Sequence, residues 1–253
     1  MLAFVVASVG ILLVSLILLR ALQARTFAKY PYFCAYAISV LIGSLVLWPV
    51  RAANPLSYLR YYWPLQFVTL VFGYGIILEI FSHVLSPYPG VERFARFLGL
   101  AILAGVFAFA LIYPLVAPAS SPVETNVGFE RSLRSVQAIL LFGILAVISH
   151  YQIPIGWNMK GMILGYGLYV GSSLVSLAVE AYAGAWLVAV WRFAQPISFA
   201  MSLLIWLVTM WSYAPNPAPE PDIHLEEDYE AVALRTRALL GAIRSYLFKA
   251  VRS

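Results

Sequence analysis

The sequence predicts an all-α integral membrane protein: a seven-transmembrane-helix bundle followed by a C-terminal amphipathic cytoplasmic helix. Hydrophobic residues make up 62% of the 253 residues and charged residues only 11%, against roughly 25% charged in soluble domains. The mean hydropathy is +0.87. The apolar residues are grouped in seven segments, most of them near the length of about 20 residues that a spanning helix needs. A soluble fold of this size could not bury so much apolar surface.

Charges, prolines and glycines set the boundaries of the predicted helices, which lie at residues 1–19, 32–50, 61–84, 98–116, 133–148, 162–182 and 192–213. No charge precedes the first segment and Arg20 follows it directly, so we interpret it as a retained helix and not as a cleaved signal peptide. Two prolines and a glycine in residues 86–90 end the third helix. Residues 117–132, rich in Pro, Ser and Asn, are predicted to be the longest loop between helices.

Lysine and arginine residues in the short flanking segments predict the orientation of the bundle. With the N-terminus outside, the cytoplasmic segments and the tail carry eleven of them, and the external segments carry five. Without the tail, the cytoplasmic segments carry six Lys or Arg residues and the external segments carry five. We therefore predict a multi-pass protein of the cell (inner or cytoplasmic) membrane, with the N-terminus outside and the C-terminus cytoplasmic. The net charge of +5 is spread over these short loops, which does not indicate nucleic-acid binding.

The chain is predicted to have three parts: the transmembrane domain 1–213, a Pro-rich linker 214–222 and a cytoplasmic amphipathic helix 223–253. The alternating prolines of the linker predict an extended spacer of about 3.1 Å per residue, with few contacts. The helix has acidic first turns and basic last turns, a gradient that complements its dipole. Its candidate interface is an apolar seam that steps by three and four residues and contains Leu225, Tyr229, Val232, Leu239, Ile243 and Tyr246. Through residues 225–251 it could bind a cytoplasmic partner, the cytoplasmic loops, the membrane surface or a second copy.

The third predicted helix, residues 61–84, carries an ionisable pair inside an apolar segment. Glu79 and His83 are four residues apart and share a helical face with Gln66 and Thr69. A charge inside a membrane costs about 2.5–3.5 kcal/mol on insertion scales, so this helix is predicted to be central in the bundle. Glu79 either lines a water-filled route or makes a buried hydrogen bond to His83 or a stripe hydroxyl. We favour the hydrogen bond, which a glutamine could also make, because residues 70–78 contain no other ionisable group.

Three of the predicted helices carry polar stripes and are expected to surround a polar interior. The candidate residues are Gln66, Thr69, Glu79, His83, Tyr169, Ser173, Ser176, Glu180, Arg192, Gln195, Ser198 and Ser202. Most of the hydroxyl groups are expected to bond back to their own helix or across a packed interface. Glu180 and Arg192 could form an ion pair that closes the outer end, or each could extend separately to headgroup water.

Motifs of enzymes are not found in the sequence. It contains no Walker loop, no Ser-His-Asp set and no HExxH, so we predict neither catalytic residues nor a cofactor. The single Cys34 excludes an intrachain disulfide and a cysteine metal cluster. Glu79, His83 and His150 could bind zinc, or the two histidines could ligate a haem. A solvated histidine at a helix end is the simpler interpretation of His150, and we predict no metal.

The arrangement resembles that of many receptors and sensor modules, without any shared motif. The leading hypothesis is a receptor-like, sensory or scaffold membrane protein that acts through its tail on a cytoplasmic partner. One alternative is a small-molecule or ion transporter or channel that uses the polar interior of the third, sixth and seventh helices. Another is an accessory subunit of a larger membrane complex. Fold alone does not decide between these functions.

Overall fold

The computed structural model describes residues 2–24, 26–53, 55–116, 122–182, 184–218 and 224–252. In these residues the chain is all-helical, without strands. The helices are α1 Leu2–Gln23, a 3-10 helix Thr26–Ala28, α2 Pro31–Ala53, α3 Pro55–Leu85, α4 Pro89–Val116, α5 Pro122–Tyr151, α6 Trp157–Tyr182, α7 Ala185–Thr209 and α8 Leu225–Arg252.

Five of these helices contain stretches long and apolar enough to cross a membrane, when the described residues alone are considered. The stretches are Pro31–Ala53, Ser57–Leu85, Gly128–Tyr151, Trp157–Val179 and Trp186–Thr209. In α1 the described apolar stretch is shorter, Ser8–Gln23. The all-helical class with several candidate membrane spans is therefore confirmed, while the count of seven spans stays a prediction.

Several helix boundaries differ from the predicted ones, most clearly at α5. The segment 117–132 was expected to be a loop, but α5 begins at Pro122, and only residues 117–121 of that segment lie outside the described part. Proline favours the first helical position because its missing N–H would have no partner there. Hydropathy finds only the apolar part of a helix, so the polar first turns of α5 were assigned wrongly to the loop. α6 likewise begins at Trp157, five residues before its apolar part was predicted to start.

Helix α3 is the centre of the bundle, as its polar residues predicted. It packs against α2, α4, α5 and α6, while α1 packs on α2 and α7, and α6 packs on α7. Ile76, Ile77 and Ile80 of α3 are fully buried. Gly75 lets α2 approach closely, because a side-chain carbon there would lie 2.7 Å from the Tyr32 ring. The polar residues of α3 are therefore surrounded by protein on several sides.

Helix α8 packs on α4 through its first turns only. Leu225 is buried and Tyr229 is half-buried, its ring centroid 5.9 Å from that of Phe94. The next three described positions of the predicted seam are exposed, namely Val232, Leu239 and Ile243. The side chain of Tyr246 lies outside the described part. The bundle thus covers the start of the seam and leaves its described continuation uncovered.

Candidate functional site

Helices α2, α3, α6 and α7 line a partly open pocket of about 360 Å³, which we call the central cavity. Its lining residues are Ser39, Val40, Gly43, Ser44, Leu47, Leu65, Gln66, Thr69, Tyr169, Gln195, Pro196 and Phe199. Four of the predicted polar-interior residues meet here, from three different helices. Sequence reasoning missed the contribution of α2, because its two serines are separated by four apolar or small residues and form no stripe.

The hydrogen-bonding groups of the central cavity are only partly occupied. The Nε2 group of Gln66 donates to Oε1 of Glu130 at 2.7 Å, and Oγ of Ser176 donates to Oε1 of Gln195 at 3.0 Å. The hydroxyl groups of Thr69 and Ser39 donate to carbonyl oxygens of their own helices. Among the described residues, Oε1 of Gln66 and Nε2 of Gln195 have no hydrogen-bond partner. The amide groups of Gln66 on α3 and Gln195 on α7 therefore each keep one unused polar atom.

The remaining polar residues predicted on α6 and α7 lie away from the cavity lining. Ser198 and Ser202 donate to the carbonyl oxygens four residues earlier. Ser173 is buried, and its hydroxyl group has no hydrogen-bond partner among the described residues. The side chains of Glu180 and Arg192 lie outside the described part, so the ion pair considered for them stays a prediction.

A buried ion pair lies beside the central cavity. Glu130 and Arg134, four residues apart on α5, are 2.9 Å apart and both buried. The guanidinium group also donates to the hydroxyl oxygen of Tyr169 at 3.0 Å, and Gln66 binds the carboxylate. Buried ion pairs of this kind need such additional hydrogen bonds to offset their lost hydration. The network ties α3, α5 and α6 together.

Sequence reasoning missed this ion pair because it counted Arg134 among the external topology charges. The signal was present, since an acid and a base four residues apart share a helical face. Assigning the segment to a loop removed that helical spacing from consideration.

Glu79 has a structural partner that the sequence did not indicate. Its carboxylate accepts the backbone N–H of Tyr32 at 3.1 Å and of Phe33 at 2.9 Å, and its side chain is buried. These are the second and third residues of α2, whose first residue, Pro31, has no N–H to satisfy. The carboxylate thus caps the N-terminus of α2, where the helix dipole favours a negative charge.

The partners predicted for Glu79 are therefore wrong. The Nδ1 atom of His83 lies 2.9 Å from the backbone carbonyl oxygen of Glu79, not from its carboxylate. The His83 ring packs against Tyr30, with centroids 5.0 Å apart. His150 packs edge-on against Tyr151. Within the described ranges, no group of three or more His, Cys, Asp or Glu residues could hold a metal ion.

A second carboxylate caps α4 in the same way and anchors α8. Glu226 accepts the backbone N–H of Gly90 at 2.7 Å and of Val91 at 3.4 Å, directly after Pro89. The hydroxyl group of Tyr151 donates to Oδ2 of Asp228 at 3.0 Å, which adds a contact to α5. The acidic first turn of α8 therefore does more than complement its own dipole, because it also binds α4 and α5.

Two asparagines tie the segment after α7 to the bundle. The Nδ2 group of Asn158, which is fully buried, donates to the carbonyl oxygens of Thr209 at 2.7 Å and Ser212 at 2.9 Å. Asn216 donates to the carbonyl oxygen of His83 at 3.0 Å and accepts the N–H of Gly156 at 2.9 Å. The expectation of a linker with few contacts is wrong at Asn216.

Comparison of the chain with family models, with characterised proteins and with solved structures finds no match. No residue role can therefore be transferred from another protein. A function can be based on the central cavity and on the anchored helix α8, whose first turns also line an apolar pocket of about 550 Å³ with α3, α4 and α5.

Replacing Glu79 tests its capping role. Glu79→Gln should be destabilising by about 1–3 kcal/mol, because the amide nitrogen would face a backbone N–H that then has no acceptor. Glu79→Leu should cost more, since it leaves two N–H groups of α2 without acceptors. Thermal unfolding of the purified protein in detergent measures both effects. Glu227→Gln, at an exposed position, is the matched control, and a Glu79→Gln variant as stable as this control would contradict the cap.

The buried pair is tested by a double substitution. Arg134→Met should cost about 3–5 kcal/mol, because it leaves the Glu130 carboxylate buried without its cation. Adding Glu130→Gln should restore part of that stability, since the amide carries no charge and still accepts from Gln66. Thermal unfolding of the single and double variants gives the coupling energy. Arg96→Met, which removes the exposed partner of Glu92, should change stability by less than about 1 kcal/mol. Strictly additive effects at residues 130 and 134 would argue against the pair.

Proposed function

We propose that the chain is a seven-helix transmembrane protein of receptor-like, sensory or scaffold function that acts through α8 on a cytoplasmic partner. The observation that carries this proposal is the state of α8: its first turn is bound to the bundle and its described apolar seam beyond that turn is uncovered. An exposed apolar surface on a helix fixed at one end is typical of a docking surface.

The dimensions of α1 and α4 support two spans beyond the five candidates. They have 22 and 28 residues, and at 1.5 Å per residue both exceed the hydrocarbon core of about 30 Å. The charged residues of α4 lie in its first two turns, and Arg20 lies in the last turn of α1. Each helix thus offers an apolar stretch with its charges at one end.

The ion pair of α5 also bears on the orientation. Arg134 is buried beside Glu130 and does not act as a surface topology charge. Without it, the external segments carry four Lys or Arg residues against six in the cytoplasmic loops. The cytoplasmic excess of positive charge without the tail then widens from six against five to six against four, which supports an external N-terminus and a cytoplasmic C-terminus in the cell membrane.

The charges of α8 favour an acidic protein partner over a second copy of the chain. Residues 231–252 contain five basic residues and no acidic one. The acidic residues lie in the first turns, where Glu226 and Asp228 are already bound to α4 and α5. Two copies of the free part would therefore repel each other. An acidic amphipathic helix of a cytoplasmic protein would complement both its charge and its apolar seam.

A small-molecule transporter is the second candidate, and the central cavity with its polar lining favours it. The ion-transport alternative relied on Glu79 as an ion-binding or proton-carrying residue. Both oxygens of its carboxylate already accept hydrogen bonds from the N-terminus of α2, which argues against that role. An accessory subunit would use α8 to bind a permanent partner and belongs to the same docking proposal.

The topology is tested with single cysteines introduced into a Cys34→Ala background. A cysteine at Ser120 should react with an impermeant thiol reagent added to intact cells. A cysteine at Gly241, where an added side chain has open space, should react only after the cells are permeabilised. The Cys34→Ala protein alone is the control and should stay unlabelled. Labelling of the residue 241 variant from outside would reverse the proposed orientation.

The docking surface is tested with a photo-crosslinking amino acid placed in α8 in living cells. At Leu239, on the seam, we expect one discrete protein adduct. At Leu234, equally exposed but on the opposite helical face, we expect none. The adduct should disappear when Arg235 and Arg244 are both replaced by glutamate, because the partner surface is expected to be acidic. Mass spectrometry of the adduct should identify an acidic helical segment.

Three outcomes of that experiment would overturn the docking proposal. Adducts with lipid alone would show that α8 lies on the membrane surface. Adducts with the chain itself would show self-association. Equal protein labelling at Leu234 and Leu239 would show contact without a specific seam.

A further inference from the structure

The central cavity has the properties of a ligand site, and its chemistry selects one class of ligand. We propose that it binds a small uncharged amphipathic molecule that carries a hydroxyl or amide group. The volume of about 360 Å³ lies at the lower end of the range for small-molecule sites, about 300–1,000 Å³. This inference supplies the ligand of the proposed receptor-like function and in that sense rests on it.

The polar side chains that line the cavity are neutral, and the amides of Gln66 and Gln195 each keep a polar atom that a ligand can bind. The Nε2 group of Gln66 must face the Glu130 carboxylate, which can only accept, so the Oε1 atom of Gln66 is the acceptor left over. On α7, the Oε1 atom of Gln195 is bound to Ser176 and Nε2 is the donor left over. Hydroxyl and amide groups supply both a donor, as Oε1 of Gln66 requires, and an acceptor, as Nε2 of Gln195 requires.

The apolar part of the lining would hold the body of the ligand. Val40 and Leu65 line the cavity from α2 and α3, and Phe199 from α7. The ring of Tyr169 packs against that of Phe199 with centroids 5.4 Å apart. Aromatic and branched walls with a few fixed polar groups are the usual composition of small-molecule sites.

Charged ligands are disfavoured because the cavity offers them no counter-ion. Among the described residues that line it there is no Asp, Glu, Lys, Arg or His. The charges nearest in the network, Glu130 and Arg134, bind each other at 2.9 Å and are not part of the lining. A charged ligand would lose its hydration without gaining an opposite charge.

A photoreactive probe set of matched size tests this selectivity on the full-length protein. The probes are trifluoromethyl phenyl diazirines that carry a benzyl alcohol, a benzoate or a benzylammonium group. The labelled residues are located by mass spectrometry. We expect the alcohol to label the lining of the central cavity about tenfold more than either charged probe, a difference of about 1.4 kcal/mol in binding.

Matched variants distinguish the cavity from general partitioning into lipid. Gly43 lines the cavity and has open space around an added side chain, so Gly43→Leu should fill the cavity and abolish labelling of its lining. Gly171→Leu, the same change at an open glycine outside the lining, should leave labelling unchanged. Gln195→Leu keeps the volume but removes the donor, so it should lower labelling severalfold even where Gly43→Leu fails to fold.

Labelling of the lining by the charged probes as strongly as by the alcohol would overturn the proposal. So would alcohol labelling confined to exposed apolar positions such as Leu100 and Leu164, or unchanged labelling in Gln195→Leu. The assay needs no cytoplasmic partner and can be run in the Leu239→Glu variant. Loss of cavity labelling therefore counts against the ligand site, whereas loss of the Leu239 adduct counts against the docking surface.

Discussion

Backbone N–H groups at the start of a helix have no partner within the helix and need other acceptors. Both α2 and α4 begin with a proline that follows a tyrosine, a residue with no capping acceptor for the next N–H groups. In each case a carboxylate from another helix accepts these groups: Glu79 of α3 for α2, and Glu226 of α8 for α4. Each cap is therefore also a tertiary contact, and the helix packing depends on it.

The same constraint explains which polar groups remain for function. The ionisable residues Glu79, Glu130 and Arg134 are engaged in caps and in a buried pair, where removing a partner would leave an unpaired buried group. The polar groups left to the lining of the central cavity are neutral, among them the amides of Gln66 and Gln195. Because these charged side chains are engaged in structural contacts, the lining of the cavity is neutral.

Helix α3 connects the central cavity to the region that holds α8. Its first half carries Gln66, and its C-terminal end presents the carbonyl oxygen of His83 to Asn216, in the segment before α8. Near the same end, Ser82 donates to Glu92 of α4, the helix that Glu226 caps. Under the proposed receptor-like function, a displacement of α3 on ligand binding would act on both contacts, because rigid helices transmit shifts to whatever they pack against.

The sequence by itself determined the helical class, the apolar segments and the faces on which Gln66, Tyr169 and Gln195 lie. Hydropathy and helical periodicity describe one helix at a time, and these properties belong to single helices. Only the tertiary structure decided that Glu79 caps α2, that Glu130 and Arg134 are buried together, and that Glu226 holds α8. These contacts depend on which helices are neighbours and on their axial register, which pairs residues far apart in the chain. The same contacts explain why Glu130 of α5 can be buried although hydropathy predicts a loop there. A buried polar group that is hydrogen-bonded costs much less than one without a partner, and hydropathy scales do not distinguish the two cases.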